Sequence, residues 1–287
     1  DIHLLPRFEP EGLLQAIHEH KISHMHVVPT MFVRMLRLPD AIKAKYDLSS
    51  LAHVIHGAAP CPPDAKKQMI EWWGDVIFEY YGSTEAGIVS TASSADAIAK
   101  PGTVGRPLDG TLVRIYDDDG KVLGTGESGE IYMTMNDLSD FTYHNKDDKR
   151  AEIEREGMVT NGDVGYMDED GYLFLNDRKR DMIISGGVNI YPAEIEAALQ
   201  GMPGVQDCAV FGIPHDEFGE SVAAALELQP GASVSADAVK EYLRAHISAY
   251  KVPREVTFHD AMPREDTGKI FKRKLRQPYW ERAGRQI

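Results

Sequence analysis

Between residues 24 and 80 short apolar runs alternate with amphipathic stretches: HMHVVP, TMFVRMLRL, LAHVIHG, PPDAKKQMIEWWG and DVIFEYYG. This strand–helix–strand–helix–strand order constrains the fold more than any other feature of the chain. It predicts parallel strands joined by right-handed helical crossovers. Sheets of this kind bind ligands beyond the carboxyl ends of their strands. HGAAPCP and YGSTEAG fall at those ends, so two loops are expected to border one crevice.

From about residue 103 to 176 the turns change character, with DDDG, GTGESG and DEDG separating TLVRIY, EIYMTM and GYLFLND. That spacing predicts a small β-rich subdomain. DDDGKVLGTGESGE reads as a hairpin turn rather than a calcium loop, since Lys121 takes a ligand position and no helix precedes it. After DRKRD the pattern becomes α+β. YPAEIEAALQG has Pro192 at the first helical position, Glu194 in the first turn and Gly201 past the end. CAVFGIP, SVAAALEL and EVTF read as strands, and Val239, Tyr242, Leu243, His246 and Ile247 recur at helical spacing. The expected fold is α/β: a partial parallel α/β subdomain over about 1–100, a β-rich part over about 101–179, and a mobile α+β C-terminal domain over 180–287.

The chain has 287 residues and a net charge of −14, which disfavours a nucleic-acid or anionic membrane surface because phosphates would be repelled. No apolar run is long enough for a membrane-spanning helix. Cys61 and Cys208 are far apart and lack metal-ligand spacing, as expected of two ordinary thiols in a reducing cytoplasm. The first residues, DIHLLPRFEP, contain no initiator Met, which fits either processing or a start inside a larger gene product.

A tyrosine at a strand end can stack on a planar base. In YGSTEAG, Tyr81 is so placed; Gly82 allows close backbone approach, Ser83 and Thr84 can bind phosphate oxygens, and Glu85 can hold Mg²⁺ beside them. The same Ser-Thr-Glu run could equally cap a following helix. His18, His20, His24 and His26 cluster, but the pattern turns from helix to strand around Ile22, which argues against a shared metal. Trp72 and Trp73 read as packing at a helix end.

Three stretches, YGSTEAG, TNGDVGYMDEDGYLFLNDRKRDMIISGGVNIYPAEIE and MPREDTGKIFKRKLR, together resemble the adenylate-forming superfamily of acyl-CoA synthetases, luciferases and nonribosomal-peptide adenylation domains. HGAAPCPPDAKKQMIEWW and IISGGVNIYPAEIE look closest to acyl-CoA ligases acting on fatty or other bulky apolar acids. The resemblance implies an AMP-forming acid:CoA ligase using ATP, Mg²⁺ and coenzyme A. Residues 1–179 would be the remainder of its large adenylation domain. It places Gly57, Ala58 and Ala59 against adenine with Tyr81 stacked on it, Thr84 on phosphate, and Glu85 on Mg²⁺. Asp163 would bind the ribose hydroxyls and Arg178 the ribose–phosphate region. Arg180 would be the hinge, Lys269 the lysine of adenylate formation, and Ser185, Gly186 and Gly187 the lining of the pantetheine passage.

Each assignment has a simpler rival. Asp163 could close a turn, Arg178 to Asp181 could be a solvated linker, Gly186 and Gly187 a tight turn, and Lys269 a surface lysine. The family's Ser/Thr/Gly-rich phosphate loop ending in Pro-Lys-Gly does not occur here. A missing N-terminal part of the same polypeptide, and low activity of this chain alone, are therefore expected. The alternatives are a non-catalytic nucleotide-binding fragment, or an adenylation domain that loads a carrier-protein thiol.

Overall fold

The computed structural model describes residues 1–135, 141–264 and 269–284, and the chain divides into two compact units, Asp1–Leu175 and Asn176–Ile287. In the first unit α1 (Pro10–His20), β1 (His24–Val27), α2 (Pro29–Leu36), α3 (Asp40–Lys43), β2 (His53–His56), α4 (Pro63–Trp73) and β3 (Ile77–Ser83) follow in order. β1, β2 and β3 are parallel neighbours, with His24 opposite His53 and Val54 opposite Ile77. Prolines start α1, α2 and α4, where a missing N–H goes unnoticed and φ is already helical. Ala65, Met69 and Trp73 lie four residues apart on α4 and are buried, and Met69 and Trp73 pack with Phe32 and Met35 of α2 against Val27, Val54 and Ile77. The tryptophan pair therefore packs at a helix end, as its position in the sequence implies. Alternate strand residues, among them His53 and Phe78, point away from that core and stack on each other at 4.2 Å.

β4 (Gly87–Ser93), α5 (Ser94–Ala99) and β5 (Thr103–Pro107) come next, then β6 (Thr111–Tyr116), β7 (Gly129–Met135), α6 (Asp147–Glu152), β8 (Glu154–Arg155), β9 (Met158–Met167) and β10 (Leu173–Arg178). β4 returns antiparallel to β3, and the sheet continues β4-β5-β10-β9-β7-β6 with β8 on β9. No helix follows Ser-Thr-Glu; the capping alternative gives way to a β-hairpin with Ser83 opposite Gly87. Between β6 and β7, Asp117 closes a turn by accepting the Lys121 N–H at 2.8 Å, the expected hairpin turn.

In the second unit the elements are β11 (Ile183–Ser185), β12 (Val188–Ile190), α7 (Pro192–Gln200), β13 (Val205–His215), β14 (Gly219–Leu228), α8 (Ala236–His246), β15 (Glu255–His259) and α9 (Lys272–Arg282). β14 is central, antiparallel to β13 and β11 and parallel to β15. Its near-continuous apolar run is explained by burial on both faces. Val222, Ala224 and Leu226 meet Ile195 and Leu199 of α7 and Val239 and Leu243 of α8, while Ala223 and Ala225 share a cluster with Leu275 of α9. His246 corrects the helical pattern, for it is exposed and stacks on Tyr242 instead of entering the core.

Candidate active site

The parallel order of β2 and β3 brings their carboxyl ends side by side, and eight predicted residues gather there. Gly57 follows β2 directly, and a Cβ on it would come within 2.6 Å of the Tyr80 ring. Ala58 has φ +67°, a left-handed conformation rare for alanine, and is exposed, as Ala59 partly is. At the end of β3 the strand register shifts between Tyr81 and Gly82, where a Cβ on Gly82 would run into the Gly87 carbonyl. Gly82 thus serves close approach of the chain to itself. Ser83 Oγ accepts the N–H groups of Glu85 and Ala86, each at 3.1 Å, and the tight turn so formed presents exposed Thr84 and half-buried Glu85.

Two long-range hydrogen bonds complete this edge. The Tyr81 hydroxyl donates to Asp163 Oδ2 at 2.8 Å, joining β3 to β9, and both residues are less than a tenth exposed. Tyr143 donates to Glu85 Oε1 at 2.8 Å. Burial, then the Glu85 carboxylate, raises the Tyr143 pKa, so the phenol stays a donor. Tyr143 went unnoticed in the sequence because FTYHN carries no local signal. Oxygen donors suit Mg²⁺, and Glu85 and Thr84 supply them on an accessible turn.

Behind these loops lies a buried polar group that sequence reasoning also missed. Lys66 of α4 donates to Glu79 of β3 and, at 3.4 Å, to the Thr103 carbonyl. His56 Nδ1 lies 3.8 Å from Glu79, and the ring is fully enclosed. Desolvation, then the Lys66 charge, pulls the His56 pKa down to about 3, leaving a neutral imidazole. Desolvation raises Glu79, against the pull of Lys66. A lysine on the apolar face of PPDAKKQMIEWW was the available clue. Cys61, pushed up to about 12 by burial, is an unreactive thiol.

The remaining predicted residues belong to the second unit. Arg178 ends β10, and Arg180 lies exposed in the turn that follows. Lys269 is exposed by surface area, yet its pKa is lowered, first by desolvation and then by the Arg178 and Lys272 charges. Those charges therefore act on one another. Ser185, Gly186 and Gly187 form the β11–β12 hairpin tip, where both glycines have positive φ. A Cβ on Gly186 would meet Phe218 at 3.2 Å, whereas Gly187 has open space around it, so the turn itself demands the glycines. Among the described residues no group of three or more His, Cys, Asp or Glu could hold a metal, and no helix is long and apolar enough to cross a membrane.

The first unit is thus an α/β protein whose sheet gathers a buried Tyr–Asp pair, a glycine-containing loop and a hairpin that presents Glu85 at the carboxyl ends of its parallel strands. Family models for AMP-binding enzyme and for AMP-binding enzyme C-terminal domain match residues 1–139 and 194–269. The chain belongs to this adenylate-forming AMP-binding enzyme family. A long-chain-fatty-acid–CoA ligase of Bacillus subtilis is 35% identical over 95% of this chain and 48% of its own length. The amide bond synthetase McbA from Marinactinospora thermotolerans superposes with a TM-score of 0.85 at 32% identity, over 96% of this chain and 56% of that one. ATP-bound MatB from Rhodopseudomonas palustris gives 0.82 at 32% identity, over 96% and 54%. The chain thus spans about half the length of the curated relatives it matches.

Proposed function

We propose that the polypeptide carrying this chain is an AMP-forming acid:CoA ligase for a fatty or other bulky apolar acid. The observation that carries this reading is the Tyr81–Asp163 hydrogen bond beside the Gly57–Ala59 and Thr84–Glu85 loops. It sets an aromatic face next to a carboxylate able to accept two ribose hydroxyls, with phosphate-binding groups one turn away. A substrate carboxylate oxygen attacks the α-phosphorus of ATP, the bond to pyrophosphate breaks, and acyl-AMP forms. The coenzyme A thiol, losing its proton, then attacks the acyl carbonyl, and AMP leaves.

Lys269 donates to the phosphoryl oxygens as charge builds on them, and Arg178 holds the ribose–phosphate region. Glu85 and Thr84 would hold Mg²⁺, which neutralises phosphate charge when bound. Ser185, Gly186 and Gly187 line the path of the pantetheine arm in the second step, after the C-terminal unit has pivoted at Arg180. The apolar acid is supported by likeness to the fatty-acid ligase. A phosphate loop is supplied by a preceding part of the longer polypeptide. The two buried free thiols suit a reducing cytoplasm.

ATP–pyrophosphate exchange tests the reading. The longer polypeptide should exchange with a fatty or aromatic acid present, and the 287-residue chain slowly or not at all. Lys269→Ala should cost on the order of 10²–10³ in exchange while leaving thioester formation from supplied acyl-AMP largely intact. Equal loss of both steps would refute the assigned role.

A further inference from the structure

Lys272 opens α9, three residues after Lys269. Its Nζ lies 2.8 Å from Glu196 Oε1, and the same carboxylate oxygen accepts the Val210 N–H of β13 at 2.7 Å. A second carboxylate, Asp177, accepts the Ala193 N–H at the start of α7 and the N–H of Arg178, at 2.8 and 2.7 Å. Desolvation raises the pKa of both carboxyls. It also opposes the Lys272 charge, but Glu196 and Asp177 outweigh it and raise the Lys272 pKa. Backbone contacts hold the segment beside it: Arg264 bridges Ile270, and Phe271 N–H donates to the Pro263 carbonyl at 2.8 Å.

One ionic socket therefore reaches both cations assigned to the nucleotide. Asp177 immediately precedes Arg178, and Lys272, the first residue of α9, follows Lys269 by three residues. Lys269 and Arg178 repel each other, an effect that Asp181 offsets in part, so the backbone that carries the two cations has to be held against that repulsion. We infer that Lys272, ion-paired with Glu196, is a positioning residue for adenylate formation that holds Lys269 and Arg178 in one arrangement facing a polyanion. This rests on the reading that Lys269 acts at the α-phosphate. A pair that merely tied α9 to α7 would matter equally for every step. A positioning pair matters for the step that uses Lys269.

The test uses the longer polypeptide with Lys272→Met, Lys272→Arg and Glu196→Gln, and measures pyrophosphate exchange, thioester formation from supplied acyl-AMP, and thermal midpoint. Lys272→Met should lose roughly 10–100-fold in exchange, the scale of a catalytic group displaced by about 1 Å, with thioester formation changed less than about 3-fold on the same scale. Lys272→Arg should recover most of the loss, and Glu196→Gln should show a milder form of the same split. Parallel loss of both steps, or no loss of either, would overturn the proposal. Should Lys272→Met fail to fold, the Arg and Gln variants decide it in the same way. Hydrogen exchange on the present chain separates this from failure of the functional reading. Selectively faster exchange at Phe271 in Lys272→Met supports positioning even if the wild type makes no adenylate, and unchanged protection there counts against it.

Discussion

Burying the Asp163 carboxylate removes water from a charged group, and the Tyr81 hydroxyl returns one charge-assisted hydrogen bond to it. One tyrosine thus contributes both a ring and a hydrogen bond to the acceptor beside it. Tyr81→Phe keeps the ring and deletes the bond. Stability should fall by about 1–3 kcal/mol, the cost of leaving a buried polar group short of a partner. AMP affinity, read by titration calorimetry on the longer polypeptide, should fall about tenfold, equal to 1.4 kcal/mol. An unchanged affinity with lowered stability would make the pair a structural bond only. Glu85 and Tyr143 repeat this logic at the hairpin, where the phenol occupies Oε1 and leaves Oε2 for another ligand.

At the scale of elements, the β3–β4 hairpin shows what was legible and what was not. The parallel order of β1, β2 and β3, and α7, β13, β14, α8 and β15 of the second unit, follow from periodicity and from proline and glycine punctuation; β11, β12 and α9, which holds Pro278 inside it, did not. The hairpin did not, because Ser83 Oγ makes the same bonds to the N–H groups two and three residues on that an N-cap serine makes. Pairing of β4 with β5 decides between the outcomes, and that information lies far along the chain. The Tyr81–Asp163 and Lys66–Glu79 contacts are likewise non-local; the site residues outside YGSTEAG were named through motif resemblance, which assigned no role to Tyr143 or Lys66. Two glycines separate backbone approach from conformation. Gly82→Ala meets the Gly87 carbonyl and should cost several kcal/mol, as overpacking against rigid backbone does. Gly187→Ala meets nothing but must hold φ +80°, so about 1 kcal/mol is expected. Urea unfolding of the two variants checks the order, and equal costs would contradict the hairpin geometry.

Over the whole molecule, each core cluster draws its residues from one unit. Phe32, Val54 and Ile77, and then Val89, Ile131 and Leu173, belong to the first, and Val210, Leu226 and Leu243 to the second. Two calorimetric transitions are therefore expected, with the second retained by residues 176–287 expressed alone; a single transition would show that the units unfold together. The first should carry a pH signature of His56. Its native pKa is about 3 against an ordinary 6.5, so between those values the unfolded chain binds a proton that the native one refuses. Stability from this group is complete above 6.5 and is lost as pH falls, at about 1.4 kcal/mol per pH unit. Glu79 works in the opposite sense, because its raised pKa favours the fold at low pH and that contribution fades as pH rises through the native value. Comparison with His56→Phe, which retains Glu79 and Lys66, isolates the imidazole. From pH 6.5 to 5 the wild type should lose roughly 1.5–2 kcal/mol more than the variant, seen as a steeper fall of the first midpoint. Parallel midpoints across that range would mean that the ring accepts its proton inside the folded unit.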